Sequence, residues 1–188
     1  MNIYNIIRRK RTIRLFKDKK IPYSILKKCI DAARLSSSAR NTQPLEYIIV
    51  DNEKILQKLM PLINFGGFIS EDKKAKKGFE PKALIVIIVK KGAEDYYKYD
   101  VGIAAQNITL VAYENKVGCC MMGAIEKEKI GKNLNVGGDY FVDLVIAMGY
   151  PAEEPVLEEA KGREYYRRKG VLHVPKRKLK EVIHRNSF

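Results

Sequence analysis

The chain has 188 residues, 46% of them hydrophobic and 31% charged, with a formal net charge of +14. That length suits one sizeable domain rather than two, and that apolar content excludes a disordered chain. The excess of Lys and Arg attracts anions, whether nucleic acid or phosphorylated cofactors.

The longest apolar runs, such as Ala83-Leu84-Ile85-Val86-Ile87-Ile88-Val89, fall well short of a membrane span. Met1-Asn2-Ile3-Tyr4-Asn5-Ile6-Ile7 leads directly into basic residues and lacks the order of a secretory signal, so a cytoplasmic protein is expected. Cys29, Cys119 and Cys120 are odd in number and form no C-x-x-C. They point to a reducing compartment, not a disulfide scaffold. His173 and His184 lack metal-ligand spacing to those cysteines, so no metal site is expected.

Taken in chain order, Ile3, Ile6 and Ile7 recur at helical spacing and predict a short helix from Asn2 to about Lys10. Arg11 to Phe16 alternates polar and apolar as an extended segment does, and Asp18-Lys19-Lys20 before Pro22 reads as a turn. Ile25, Leu26, Cys29, Ile30 and Ala33 form the stripe of a helix from Ser24 to Leu35, ended by a serine run. Tyr47 to Val50 is a predicted strand and Glu53 to Leu62 a helix. The stretch from Asn64 through Gly66, Gly67 and Phe68 to Lys82 is a loop or broken helix able to serve as a lid.

Ala83 to Val89 has the pattern of a strand buried on both faces. The longest helix runs from Tyr99 to Lys116, with Gly118 able to stop it. Cys119 to Met122 and Phe141 to Met148 are strands, and Ile125 to Asn133 a helix. Residues 152 to 174 read as charged and irregular, and Pro175 to His184 as a short closing helix. The sum is an α+β chain of about four strands and five helices, one domain over residues 1–188. The long tail, about 152–188, suggests packing on a second subunit.

The chain lacks the P-loop, dinucleotide, nucleophile-elbow and zincin signatures, so chemistry is expected from a bound cofactor, with no catalytic side chain. Basic residues are dense at Arg8-Arg9-Lys10-Arg11, at Lys73-Lys74-Ala75-Lys76-Lys77 and at Lys176-Arg177-Lys178. Any one such patch is more often a solvated face than a site. Within Lys10-Arg11-Thr12-Ile13-Arg14, however, an extended backbone puts Lys10, Thr12 and Arg14 on one face. Arg offers a planar fork of donors, Lys a point charge and Thr a hydroxyl, a set that suits phosphate. Ser36-Ser37-Ser38-Ala39-Arg40-Asn41-Thr42-Gln43-Pro44 is a loop of small polar residues, able to bring backbone groups close to a flat polar ligand. Met121 and Met122 read first as core filling.

These segments together resemble the FMN-dependent nitroreductase family. Lys10-Arg11-Thr12-Ile13-Arg14-Leu15-Phe16, then Pro22, then Ala32-Ala33-Arg34, then Ser37-Ser38-Ala39-Arg40-Asn41-Thr42-Gln43-Pro44-Leu45 follow the order of that family's opening. Asp100 to Leu110 is similar to its central helix, Val117-Gly118-Cys119-Cys120-Met121-Met122-Gly123 to a strand, and Ile146 to Pro151 and His173 to Arg177 to later elements.

The resemblance implies an α+β nitroreductase fold, a mostly antiparallel central sheet flanked by helices in an intertwined homodimer. It implies two interfacial FMN sites and ping-pong hydride transfer through flavin N5, from NADH or NADPH to an acceptor such as a nitroaromatic or quinone. Lys10, Arg11, Thr12 and Arg14 would hold the phosphate and ribityl groups, with Lys176 or Arg177 completing the clamp. Ser37, Ser38, Ala39 and Asn41 would reach the flavin from the other subunit, and Met121, Met122 and Gly123 would pass the ring. Gln106 and Asn107 read as structural. Lys10 stands where the family uses Arg, and Leu45 where it uses Trp.

Other flavin reactions on this fold, such as dehalogenation, dehydrogenation or flavin breakdown, and flavin binding without turnover, fit the same residues. A basic nucleic-acid-binding protein is the rival class, but no helix-turn-helix, zinc finger or aromatic-interleaved basic surface supports it.

Overall fold

A computed structural model of the chain describes residues 2–65, 69, 75–159 and 162–188. The expected hinge residues Gly66, Gly67 and Phe68 and the basic pair Lys73-Lys74 lie outside them. The helices are α1 (Ile3–Arg9), α2 (Tyr23–Arg34), α3 (Glu53–Leu59), α4 (Tyr97–Glu114) and α5 (Lys127–Asn133). The strands are β1 (Leu45–Val50), β2 (Ala83–Lys90), β3 (Gly118–Met122), β4 (Tyr140–Gly149), β5 (Val156–Glu159), β6 (Tyr166–Arg168) and β7 (Val171–Lys176).

The first four strands form one sheet in the order β1-β2-β4-β3, with every neighbour antiparallel. The apolar run in β2 is buried along both faces from Ala83 to Val89, as its composition predicts. Successive side chains of a strand alternate faces. Ala83, Ile85, Ile87 and Val89 therefore join one core with Leu26, Cys29 and Ala33 of α2 and Val101, Ala104, Ala105, Ile108 and Ala112 of α4. Leu84, Val86 and Ile88 join the other, with Leu56 and Leu59 of α3 and Ile130 of α5. The molecule is thus helix, sheet, helix, in three layers.

Several expectations need adjustment. The predicted helix to Leu62 ends at Leu59 and tightens into a 3-10 turn over Met60–Leu62, where Pro61 lacks the N–H that would extend it. The long helix ends at Glu114, and the chain turns at Lys116, which takes φ 62°. Gly118 is instead the first residue of β3, and its hydrogen is needed for close approach: a Cβ there would lie 2.6 Å from Ile13 Cγ1. Gly149 plays the same part, because a Cβ there would lie 2.7 Å from Phe16 Cδ1.

The tail differs most. In place of an irregular segment, β5, β7 and β6 form a second sheet in that order, with β5 parallel to β7 and β6 antiparallel to it. In place of a closing helix there is a single 3-10 turn, Leu179–Glu181. Charge masks the strands: their apolar positions are few, and Leu172, His173 and Pro175 are their buried points. His173 Nδ1 lies 2.5 Å from Glu158 Oε1, and Tyr166 donates its hydroxyl to Glu158 Oε2 at 2.8 Å. The Tyr166 and His173 rings stack with centroids 4.9 Å apart.

Two outcomes are expected. Gly149→Ala should lower stability by about 1–3 kcal/mol through overpacking against Phe16, read as a drop in Tm. The hydrogen bonds from His173 and Tyr166 hold the Glu158 carboxyl below its ordinary 4.5. A carboxylate depressed in the folded state stabilises above its unfolded pKa and loses that contribution as pH falls through the folded value. Amide exchange of β5 and β7 should therefore accelerate below pH 4.5, and Glu158→Gln should flatten that acid dependence.

Candidate functional site

The segment after α1 leaves the helix at Lys10, whose φ of −61° and ψ of 123° are extended. It then lies along the sheet edge. Ile13 donates its N–H to the Cys119 carbonyl at 3.0 Å, Lys17 to the Tyr150 carbonyl at 2.8 Å, and Ala152 to the Leu15 carbonyl at 2.9 Å. Phe16 pairs with Pro151 and is fully buried. These ties give the basic run its alternation. Lys10 reaches α4, donating to Gln106 Oε1 at 3.4 Å. Arg14 reaches the tail, donating through Nη2 to the Tyr165 hydroxyl at 3.0 Å and lying 4.7 Å over that ring. Arg11 turns the other way, into a cleft shared with Ile13. Thr12 is half-buried between them.

Burial is the main force lowering the Lys10 pKa, and the positive charges of Arg11 and Lys176 add to it. The Lys176 contribution places its ammonium in the electrostatic neighbourhood of Lys10. Arg177 is engaged elsewhere: its Nη2 donates to the Glu181 carbonyl, and its Nε lies 3.9 Å from the Glu181 carboxylate. Burial also lowers the Arg11 pKa. The Nε atoms of Arg11 and Arg14 are both buried without a hydrogen-bond partner. An unsatisfied buried donor costs about 1–3 kcal/mol, so the segment is suited to an acceptor-rich, anionic group such as a phosphate.

Two buried acids that sequence reasoning missed hold this machinery. Glu153, with a side chain only 5% exposed, accepts the N–H of Arg14 at 2.5 Å and of Leu15 at 3.0 Å, and pairs with Arg167 at 2.8 Å. Nothing in the sequence separates it from its neighbour Glu154. Asp100, in the first turn of α4, is 3% exposed. It accepts the Ser38 hydroxyl at 2.9 Å and the Ala39 N–H at 3.0 Å. The Ser38 hydroxyl oxygen in turn accepts the Gln43 N–H at 3.0 Å. This knot holds Arg40, Asn41 and Gln43 at φ of 51°, 55° and 49°, left-handed conformations that non-glycine residues rarely adopt. Burial, and secondarily the Asp100 charge, pushes the Tyr47 hydroxyl up to about 12.

Ser38 is thus committed to its own loop, while Ser37 and Asn41 are exposed. Asn107 donates to Ser36 Oγ at 2.8 Å and, like Gln106, joins α4 to the functional segments. The small cleft beside the serines, about 70 Å³, is bounded by Ser36, Ser37, Ser38, Tyr47 and Asp100, and neither Lys10, Thr12 nor Arg14 lines it. Met122 is buried in the α3/α5 layer, whereas Met121 is 37% exposed on the opposite face. Gly123 has open space where a side chain would stand. Cys29, Cys119 and Cys120 are buried thiols, and burial pushes the Cys29 pKa up to about 12.

The fold is an α+β sheet flanked by helices, with a cationic segment bound along its edge and a strained serine loop at its central helix. A sequence profile of the Nitroreductase family matches residues 7–150. The chain belongs to that family. A protein of Methanothermobacter thermautotrophicus carrying the provisional name NADH dehydrogenase/NAD(P)H nitroreductase is 27% identical over 161 residues, covering 82% of this chain and 80% of that protein. An iodotyrosine deiodinase of Thermotoga neapolitana is 24% identical over 165 residues, covering 79% of this chain and 88% of the relative. The solved structure of an FMN-dependent nitroreductase from Clostridium difficile R20291 superposes with a TM-score of 0.72 at 26% identity, covering 98% of this chain and 99% of the other.

Asp100→Ala strands the Ser38 hydroxyl and the Ala39 N–H and is expected to cost about 1–3 kcal/mol. Amide exchange at Ala39 and Gln43 should rise well above that of β2, which localises the loss to the loop.

Proposed function

We propose that the protein is an FMN-dependent oxidoreductase that takes a hydride from NADH or NADPH and passes it to a small electron acceptor such as a nitroaromatic or quinone. The observation that carries this reading is the buried, unpartnered guanidinium Nε of Arg14, on the same side of the extended segment as Lys10, whose lowered pKa Lys176 adds to. A desolvated guanidinium donor among these cations is stabilised by an anion, and the phosphate of FMN is the anion that the family resemblance supplies. FMN, when bound, provides the hydride-accepting and hydride-donating ring.

The chain's own residues bind and orient. Lys10, Thr12, Arg14 and Lys176 offer donors and charge to the phosphate and ribityl groups. Glu153 fixes the backbone that aims Arg14. Met121 and the open backbone at Gly123 offer a surface on which a flat ring can rest. We assign the serine loop to a flavin of the partner subunit in a homodimer. That assembly is supported by exposed apolar residues on adjoining helices, Ile3, Tyr4 and Ile7 of α1 with Tyr99 and Ile103 of α4. A cytoplasmic enzyme accords with the reduced cysteines. Reductive dehalogenation is the second reading, favoured by the similarity to an iodotyrosine deiodinase.

The test is the visible spectrum of purified protein, with and without added FMN, followed by anaerobic NADH or NADPH. Bound flavin that bleaches supports the reading; a chain that takes up no FMN overturns it. Arg14→Ala should weaken FMN binding about 10-fold or more, as loss of a charge-assisted hydrogen bond does, with Tm little changed. An unaltered FMN affinity in that variant would place the phosphate elsewhere.

A further inference from the structure

A cleft of about 610 Å³ opens between the end of α1, the last turn of α4 and residues 151–157. Arg8, Arg9, Arg11 and Lys116 all line it, four cations from two separate stretches of chain. Among the described residues none of the four is ion-paired with a carboxylate. Arg11 donates through Nη2 to the Arg8 carbonyl, and its Nε is the buried donor without a partner. Lys116 stands at the left-handed residue that turns the chain from α4 toward β3.

Two acids also border the cleft, Glu153 and Glu154. Glu153 is already neutralised by Arg167 and by the N–H groups of Arg14 and Leu15. Glu154 alone is left against four positive charges. Of the residues expected to hold the flavin phosphate only Arg11 lines this cleft; Lys10, Thr12, Arg14 and Lys176 do not. The alternation of the extended segment explains the separation: it sends Lys10 and Arg14 to one side and Arg11 to the other.

We propose that this cleft is a second anion site, which takes a phosphate-bearing small molecule of nucleotide size. Its volume lies within the range of small-molecule sites. Arg8, Arg9, Arg11 and Lys116 hold the phosphates as forks and point charges. Tyr113 and Leu157 supply the apolar wall for a flat organic portion. Solvated basic faces are convex and fully hydrated; this group is concave and contains a desolvated guanidinium donor.

The test is a calorimetric titration of the full chain, saturated with FMN, with ATP as probe and adenosine as control. Saturable binding of one ATP per chain is expected, with adenosine far weaker. Arg8 and Lys116 are exposed, so the double variant Arg8→Gln/Lys116→Gln should fold. It should bind ATP about 10- to 100-fold more weakly, as removal of two cationic donors does, with FMN affinity unchanged. The proposal is overturned by absent saturable binding in the wild type, by equal ATP affinity in the double variant, or by displacement of ATP by single-stranded DNA in a length-dependent manner. It is overturned too if FMN affinity falls in step with ATP affinity, which would make the cleft part of the flavin site. A chain that takes up no FMN is titrated without it, so failure of the flavin reading leaves this test standing.

Discussion

Everything at the candidate site depends on how closely residues 13–16 seat against the edge of the sheet. The seating is possible only because Gly118 and Gly149 present no Cβ to Ile13 and Phe16. With those two side chains pressed into the α3/α5 core, main-chain hydrogen bonds donated by Ile13, Phe16 and Lys17 fix the direction of the segment. Its alternating side chains then have fixed destinations. Packing in the core therefore decides where charge is delivered on the surface.

Because that delivery concentrates cations, the fold offsets them with buried carboxylates placed on the backbone rather than on the cations alone. Glu153 accepts two main-chain N–H groups and one guanidinium, so it straightens the segment while leaving the Arg14 Nε unpaired. Asp100 does the equivalent for the serine loop. A loop with three non-glycine residues at positive φ is unfavourable in isolation. Two hydrogen bonds to a buried carboxylate keep it in one shape. Both acids are positioning residues: they act through the segments they hold.

Much of the architecture was legible in the residues. The continuous apolar run of β2, the helical stripe of α2 and the serine stop after it are strong periodic signals, and each element lies close to where its pattern puts it. The tail was not legible. β5, β6 and β7 are short and charged, and they are held by pairing with one another and by the His173–Glu158–Tyr166 contacts, which have no local period. The cationic run and the serine loop stood out by composition, but their anchors did not. Glu153 and Asp100 are single acids in ordinary surroundings, and only long-range contact makes them special.

By itself the sequence determined the α+β character and the identity of the cations, because apolar periodicity and residue type are local properties, and the order of its motifs carried the family resemblance. Only the tertiary structure decided how those cations divide. Lys10 reaches Gln106 of α4, 96 residues away in the chain, and Arg11, one residue from Lys10, faces a different cleft. The physical reason is that an extended segment assigns side chains to alternate sides, while close packing over two glycines determines what each side meets.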